Sequence, residues 1–105
     1  MSEAGHFERW DAASDEEHRA VLDRFRAYTA AVAERGEVLG GEALARPAEA
    51  RTLRAGAVSE GPYADTAEQL GGFYLVELPS LDDAVALARL LPAAYAVEVR
   101  PVVAP

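Results

Sequence analysis

Glu60, Tyr63, Asp65 and Glu68 crowd one short stretch of the 105-residue chain, set around Gly61-Pro62 and followed by Gly71-Gly72. A carboxylate held on glycine-rich backbone can act as a general base or accept a hydrogen bond from a ligand, and a neighbouring tyrosine can donate one. The same residue types also build turns, with Glu60 accepting from amides of its own turn and Tyr63 packing as a loop anchor. Both readings stand at this point. His18, flanked by Glu17 and Arg19, is a second candidate, because imidazole is the commonest acid or base near neutral pH. Its alternative is a solvated residue on a charged helix face. Glu98 and Arg100 near the C-terminus, with Glu42 after Gly40-Gly41, form the third set. Opposite charges two apart on a strand either line a ligand cleft or make cross-strand and interface ion pairs.

Other chemistries find no residues to carry them. The chain has no cysteine and two separated histidines, which fit no metal-ligand spacing and exclude disulfides and thiol nucleophiles. It has no nucleophile elbow, phosphate loop or dinucleotide fingerprint, so no cofactor is expected.

The elements that must position these side chains follow from periodicity. Gly61-Pro62 is a turn signal, and Phe73 to Leu78 is a nearly all-apolar run that reads as a central strand buried on both faces. Upstream, residues 1–13 show no sustained period and are expected to be irregular, with a short extended piece around Phe7. Ser14-Asp15-Glu16-Glu17 is a capping box. It opens a helix predicted from Asp15 to about Arg35, with Val21, Leu22, Phe25, Tyr28, Thr29 and Val32 on its core face and Gly36 as a left-handed C-terminal cap. Glu37-Val38-Leu39 reads as a short strand and Ala43 to Glu49 as loop. Thr52-Leu53-Arg54 and Ala57-Val58 are predicted to pair across Ala55-Gly56. Ser80 caps a second helix that Pro92 ends, and Tyr95 to Val103 alternates as a strand half-buried on its valine face.

Length and charge bound the rest. A chain of 105 residues makes one domain with its own core. The formal charge of −8 opposes direct binding to nucleic acid or anionic membranes, while permitting a basic protein partner. No apolar run approaches the about 20 residues of a membrane span and no signal peptide stands at Met1, so a cytoplasmic protein is expected.

Glu60-Gly61-Pro62-Tyr63, with Glu68-Gln69-Leu70-Gly71-Gly72-Phe73-Tyr74 behind it, resembles the Asp-Gly-Pro-Phe loop and following strand of the YCII-related proteins, specifically their DGPF subfamily. The similarity runs from about Trp10 to Val103 and takes in Gly40-Gly41-Glu42-Ala43-Leu44 and Val97-Glu98-Val99-Arg100-Pro101-Val102. Glu60 stands for the signature Asp and Tyr63 for its Phe, and the hairpin before the loop is a few residues shorter. The resemblance implies an α+β, ferredoxin-like antiparallel sheet with two helices on one face, the other face covered in a homodimer (a dimeric α+β barrel). With residues 1–13 read as irregular, it implies one YCII-related domain of the DGPF type over 14–105. It places a small-molecule pocket near Glu60-Gly61-Pro62-Tyr63. Glu60 is then the candidate catalytic acid or base, with Tyr63, Asp65, Glu42 and Arg100 as ligand-binding candidates. The wider family has a His on its first helix, proposed to act with an Asp, and His18 lies in the first turn of the corresponding helix, although DGPF-type relatives usually lack it. Such relatives are also associated with extracytoplasmic-function sigma factors, so a non-catalytic module with a sigma-factor-linked protein partner is the alternative.

Relatives also begin with an apolar strand ahead of the Trp10 region, where this chain has Met1 to Arg9. In a ferredoxin-like sheet that strand is central, so Phe73 to Leu78 and Tyr95 to Val103 should each lack a hydrogen-bonding neighbour: those two strands pair directly, or Gly5 to Trp10 bends in as a stunted replacement, or the natural protein starts upstream of Met1, the last being expected with the second as fallback.

Overall fold

Ser14 sets the first long element. Its hydroxyl accepts from the Glu17 amide at 3.1 Å, which satisfies one of the amides left over at a helix start. In the computed structural model, which describes residues 5–63 and 69–104, the predicted helix runs as α2, Asp15–Arg35. The capping box closes differently from expectation: the Glu17 carboxylate accepts from the Ser14 hydroxyl at 3.3 Å.

Ahead of it lies α1, His6–Ala12, where irregular chain was expected. What orders it is contact with α2. The Trp10 indole stacks on the His18 ring at 3.9 Å between centroids, and Asp11 at its end takes both carboxylate oxygens to Arg46, at 2.6 and 2.7 Å. Seven residues alone would not hold a helix in water. Packing supplies what propensity does not.

The strands are β1 (Glu37–Ala43), β2 (Arg51–Arg54), β3 (Ala57–Glu60) and β4 (Gly72–Glu77), with a single 3₁₀ turn at Pro47–Glu49 between β1 and β2. β1 pairs antiparallel with β4, from Glu37 opposite Glu77 to Ala43 opposite Gly72, and a bulge between Val38 and Gly40 shifts the register. The strand therefore continues through the diglycine. A Cβ on Gly41 would stand 2.7 Å from the Tyr74 ring, so that position needs glycine for close approach. β2 and β3 form the predicted hairpin, Thr52 opposite Ser59 and Leu53 opposite Val58. Its turn puts Ala55 at φ 47 and Gly56 at φ 84, the two positive angles of a type I′ connection.

After β4, Ser80 caps α3 (Leu81–Ala88) by accepting from the Asp83 amide at 3.1 Å. The helix stops before Pro92 because its last bonds tighten to three-residue spacing, Leu90 N–H to Leu87 O and Leu91 N–H to Ala88 O. Among the described residues no helix is long and apolar enough to cross a membrane.

The architecture is α+β with antiparallel sheets, compatible with a ferredoxin-like fold. α2 and α3 lie on one face of the β1–β4 pair, where Tyr28, Val32 and Leu91 are buried and Tyr74, Val76, Leu78 and Val97 pack against them. Three sequence expectations are corrected. Phe73 to Leu78 is covered on one face only: Tyr74 and Val76 point to the helices, whereas Phe73 and Leu75 stay 50% and 41% exposed. Among the described residues no helix or strand covers that other face. Tyr95 to Val103 is not a strand: Ala96 makes only an isolated bridge, and no ladder extends from it through residues 97–103. Gly36 is no left-handed cap, since its φ of −169 is extended backbone; glycine is needed there because the end of β4 passes so close that a Cβ would clash with the Glu77 carbonyl. The radius of gyration, 15.4 Å, exceeds the about 13 Å usual for a compact chain of this size, as an open-faced arrangement requires.

Candidate functional site

The turn that carries Glu60 is built without its side chain. Gly61 sits at φ 102, open to glycine and strained for other residues. Its N–H donates to the Ala50 carbonyl at 2.8 Å, and its own carbonyl accepts from the Thr52 hydroxyl at 2.9 Å. Both polar groups of that peptide are thus satisfied by the start of the hairpin. Arg54 completes the frame. Its guanidinium donates to the Tyr63 carbonyl at 3.1 Å and lies 4.8 Å from the centre of the Tyr63 ring, a cation–π distance.

Glu60 is exposed at the end of β3, and its carboxylate has no hydrogen-bonding or ionic partner among the described residues. It does not close on its own turn, the structural alternative raised by its position. Tyr63 projects on the same turn with 76% of its surface exposed. The arrangement offers an acceptor or base beside a phenolic donor on a fixed backbone. Asp65 and Glu68 lie outside the described residues.

The remaining candidates fall elsewhere. His18 is half-buried under Trp10, with Nε2 2.7 Å from the Trp10 carbonyl oxygen. A carbonyl only accepts, so Nε2 carries the proton and the ring fastens α1 to α2. Glu42 is exposed on β1 opposite Phe73. Arg100 pairs with Glu98 at 2.7 Å on the C-terminal segment. Of these, Glu98 and Arg100 border the groove of about 660 Å³ that runs between β4 and residues 97–102, floored by Tyr28, Ala84, Ala88 and Leu91. Among the described residues no three His, Cys, Asp or Glu side chains converge as a metal site.

Two tyrosines under the sheet are electrostatically distinct. Burial pushes the Tyr28 phenol above its ordinary value, with a further push from Tyr74, and burial raises Tyr74 as well. Their rings stand 4.9 Å apart, and both stay neutral at physiological pH. Sequence reasoning missed Arg54 as a framing residue. The pairing of the hairpin was the available signal, because it points the last residue of β2 back toward the turn after β3.

Residues 7–104 match the YCII-related domain. The chain is also 38% identical over 96 residues to a protein of Rhizobium meliloti (strain 1021) described as uncharacterized, a similarity covering 84% of this chain and 77% of that relative.

Proposed function

Since the chain belongs to the YCII-related domain family, we propose that it is a cytoplasmic, homodimeric protein of the DGPF type that binds a small molecule at the Glu60-Gly61-Pro62-Tyr63 turn. The observation that carries this reading is a Glu60 carboxylate without a partner among the described residues, on a turn already fixed by Gly61, Thr52 and Arg54. A turn that holds itself through backbone bonds leaves its acid free for a ligand, and Tyr63 supplies the matching donor. Glu60 is the acceptor or general base, and Arg54 positions Tyr63 without touching the ligand. The second copy covers the apolar sheet face bearing Phe73 and Leu75.

The test is a thermal-shift screen of a small-metabolite library against wild type and Glu60→Gln, which removes the charge and nearly keeps the shape. Ligands that stabilise the wild type should lose their effect on the variant. Retention of every hit would make Glu60 structural.

A second reading, a non-catalytic module with a sigma-factor-linked partner, draws on the hairpin. Leu53 and Val58 form a cross-strand pair that is 67% and 69% exposed, the kind of apolar display a protein partner covers.

A further inference from the structure

Tyr28 carries a hydroxyl into the core without a hydrogen bond among the described residues. The residue is 5% exposed, and its contact with the Tyr74 ring satisfies no polar atom. Buried phenols ordinarily find a partner, because an unmet donor loses its hydration and gains nothing in return. Tyr28 also floors the groove between β4 and residues 97–102. Phe73 and Leu75 from one face of β4 and Tyr74 and Val76 from the other all line that groove, so it follows the strand from one face of the sheet to the other. Its volume of about 660 Å³ lies within the about 300–1,000 Å³ of small-molecule sites.

The walls narrow the occupant. Among the described residues no charged side chain is buried, so a charged group set on the floor would find no counter-ion. Glu77, Glu98 and Arg100 stand among the walls and are exposed, and the last two are joined at 2.7 Å. That leaves one carboxylate in excess, in a chain of formal charge −8, which opposes anions. The remaining demand is for an acceptor. Burial raises the Tyr28 phenol above its ordinary value, so it keeps its proton at neutral pH, and a neutral phenol donates well but accepts poorly with its lone pair drawn into the ring. We propose that the groove binds a neutral, largely apolar small molecule whose carbonyl oxygen accepts a hydrogen bond from the Tyr28 hydroxyl. Glu60 and Tyr63 do not line this groove, so it is a second site, independent of the turn that carries them.

Titration of the full chain with two fluorescent probes tests this: Nile red, which is neutral, apolar and bears a ring carbonyl, and pyrene, a hydrocarbon with no hydrogen-bonding capacity. Wild type should bind both. Tyr28→Phe keeps the ring and removes the donor, and should weaken Nile red about three- to tenfold while leaving pyrene unchanged. It should also unfold no earlier than wild type, since no protein partner is lost; earlier unfolding would mean that the hydroxyl serves the fold, and overturns the inference. Ala88→Trp fills the floor and should abolish binding of both probes, with circular dichroism confirming its fold. Should it fail to fold, Ala84→Leu, at the neighbouring floor position, is read in the same way. Nile red bound equally by wild type and Tyr28→Phe overturns the inference, as does pyrene weakened alongside it, which would mark a general disturbance of the groove. Binding that survives a folded floor variant places the probes on another apolar surface, such as Leu53 and Val58, and overturns it too. A wild type that binds neither probe has no such site. The Glu60→Gln screen reads a different site, so either reading can fail alone.

Discussion

Replacing Gly36 by Ala should be among the most damaging single changes in this chain. The position joins α2 to β1, and its N–H donates to the Val32 carbonyl at 2.8 Å. A Cβ built there would overlap the Glu77 carbonyl oxygen and stand 3.0 Å from its carbon and 3.2 Å from a Leu78 methyl. The offending atoms are backbone, so no rotamer change relieves them. Restoring ordinary carbon–carbon contact of about 3.5–4 Å means parting the end of α2 from the end of β4. That loosens the Glu37–Glu77 end of the ladder, where one or two backbone bonds are worth about 0.5–1.5 kcal/mol each, and adds overpacking of about 1–3 kcal/mol. The sum is roughly 1.5–6 kcal/mol, a large share of the 5–15 kcal/mol typical of a domain. With an m-value of about 1–2 kcal/mol/M, the urea midpoint should fall by roughly 1 M or more. Amide exchange should quicken at Val38, Val76 and Glu77 and not in the β2–β3 hairpin. Gly40→Ala is the control, because a Cβ there meets nothing within 4 Å. If the two variants unfold at the same urea concentration, the close-approach argument is wrong.

Two further outcomes follow from named contacts. Ser14→Ala removes the acceptor for the Glu17 amide and should cost roughly 0.5–2 kcal/mol, read as a lower urea midpoint at unchanged slope; an unmoved midpoint would count against the cap. Tyr28 and Tyr74 have native phenols raised by burial, so the unfolded chain loses those protons first as pH rises. Their contribution is complete below the ordinary phenol value of about 10 and is lost as pH climbs through the raised native values. Stability should therefore be level in these groups through neutrality and fall above about pH 10, and Tyr28→Phe together with Tyr74→Phe should flatten that fall in alkaline denaturation.

How much was legible in the sequence depended on how local the cause was. The Ser14 and Ser80 caps and the hairpin were readable because each is decided within a few residues. The hairpin signal was faint because Ala55 occupies a positive φ that Asn or Gly would have advertised. Gly36 was rightly singled out for the wrong reason: a glycine after a helix suggests a left-handed cap, and only the passage of β4 reveals a steric one. The alternation of Tyr95 to Val103 was real, and half-buried Val97 and Val99 keep its facing. Strand geometry also requires a neighbour, which one chain's pattern does not contain. At the candidate site, the Gly61-Pro62 turn and the prominence of Glu60 were visible. That Thr52 and Arg54 relieve Glu60 of any structural duty was not, since both act across the hairpin.

The Trp10–His18 stack gives the protein a built-in optical probe. Trp10 is the single tryptophan, and its ring stacks on His18 of α2, 16° from parallel. Indole emission therefore reports one event, the seating of α1, undiluted by signal from elsewhere. Melting followed by fluorescence and melting followed by far-ultraviolet dichroism will separate if α1 lifts before α2 unwinds, and coincide if the two helices leave together. No label is needed to tell these apart.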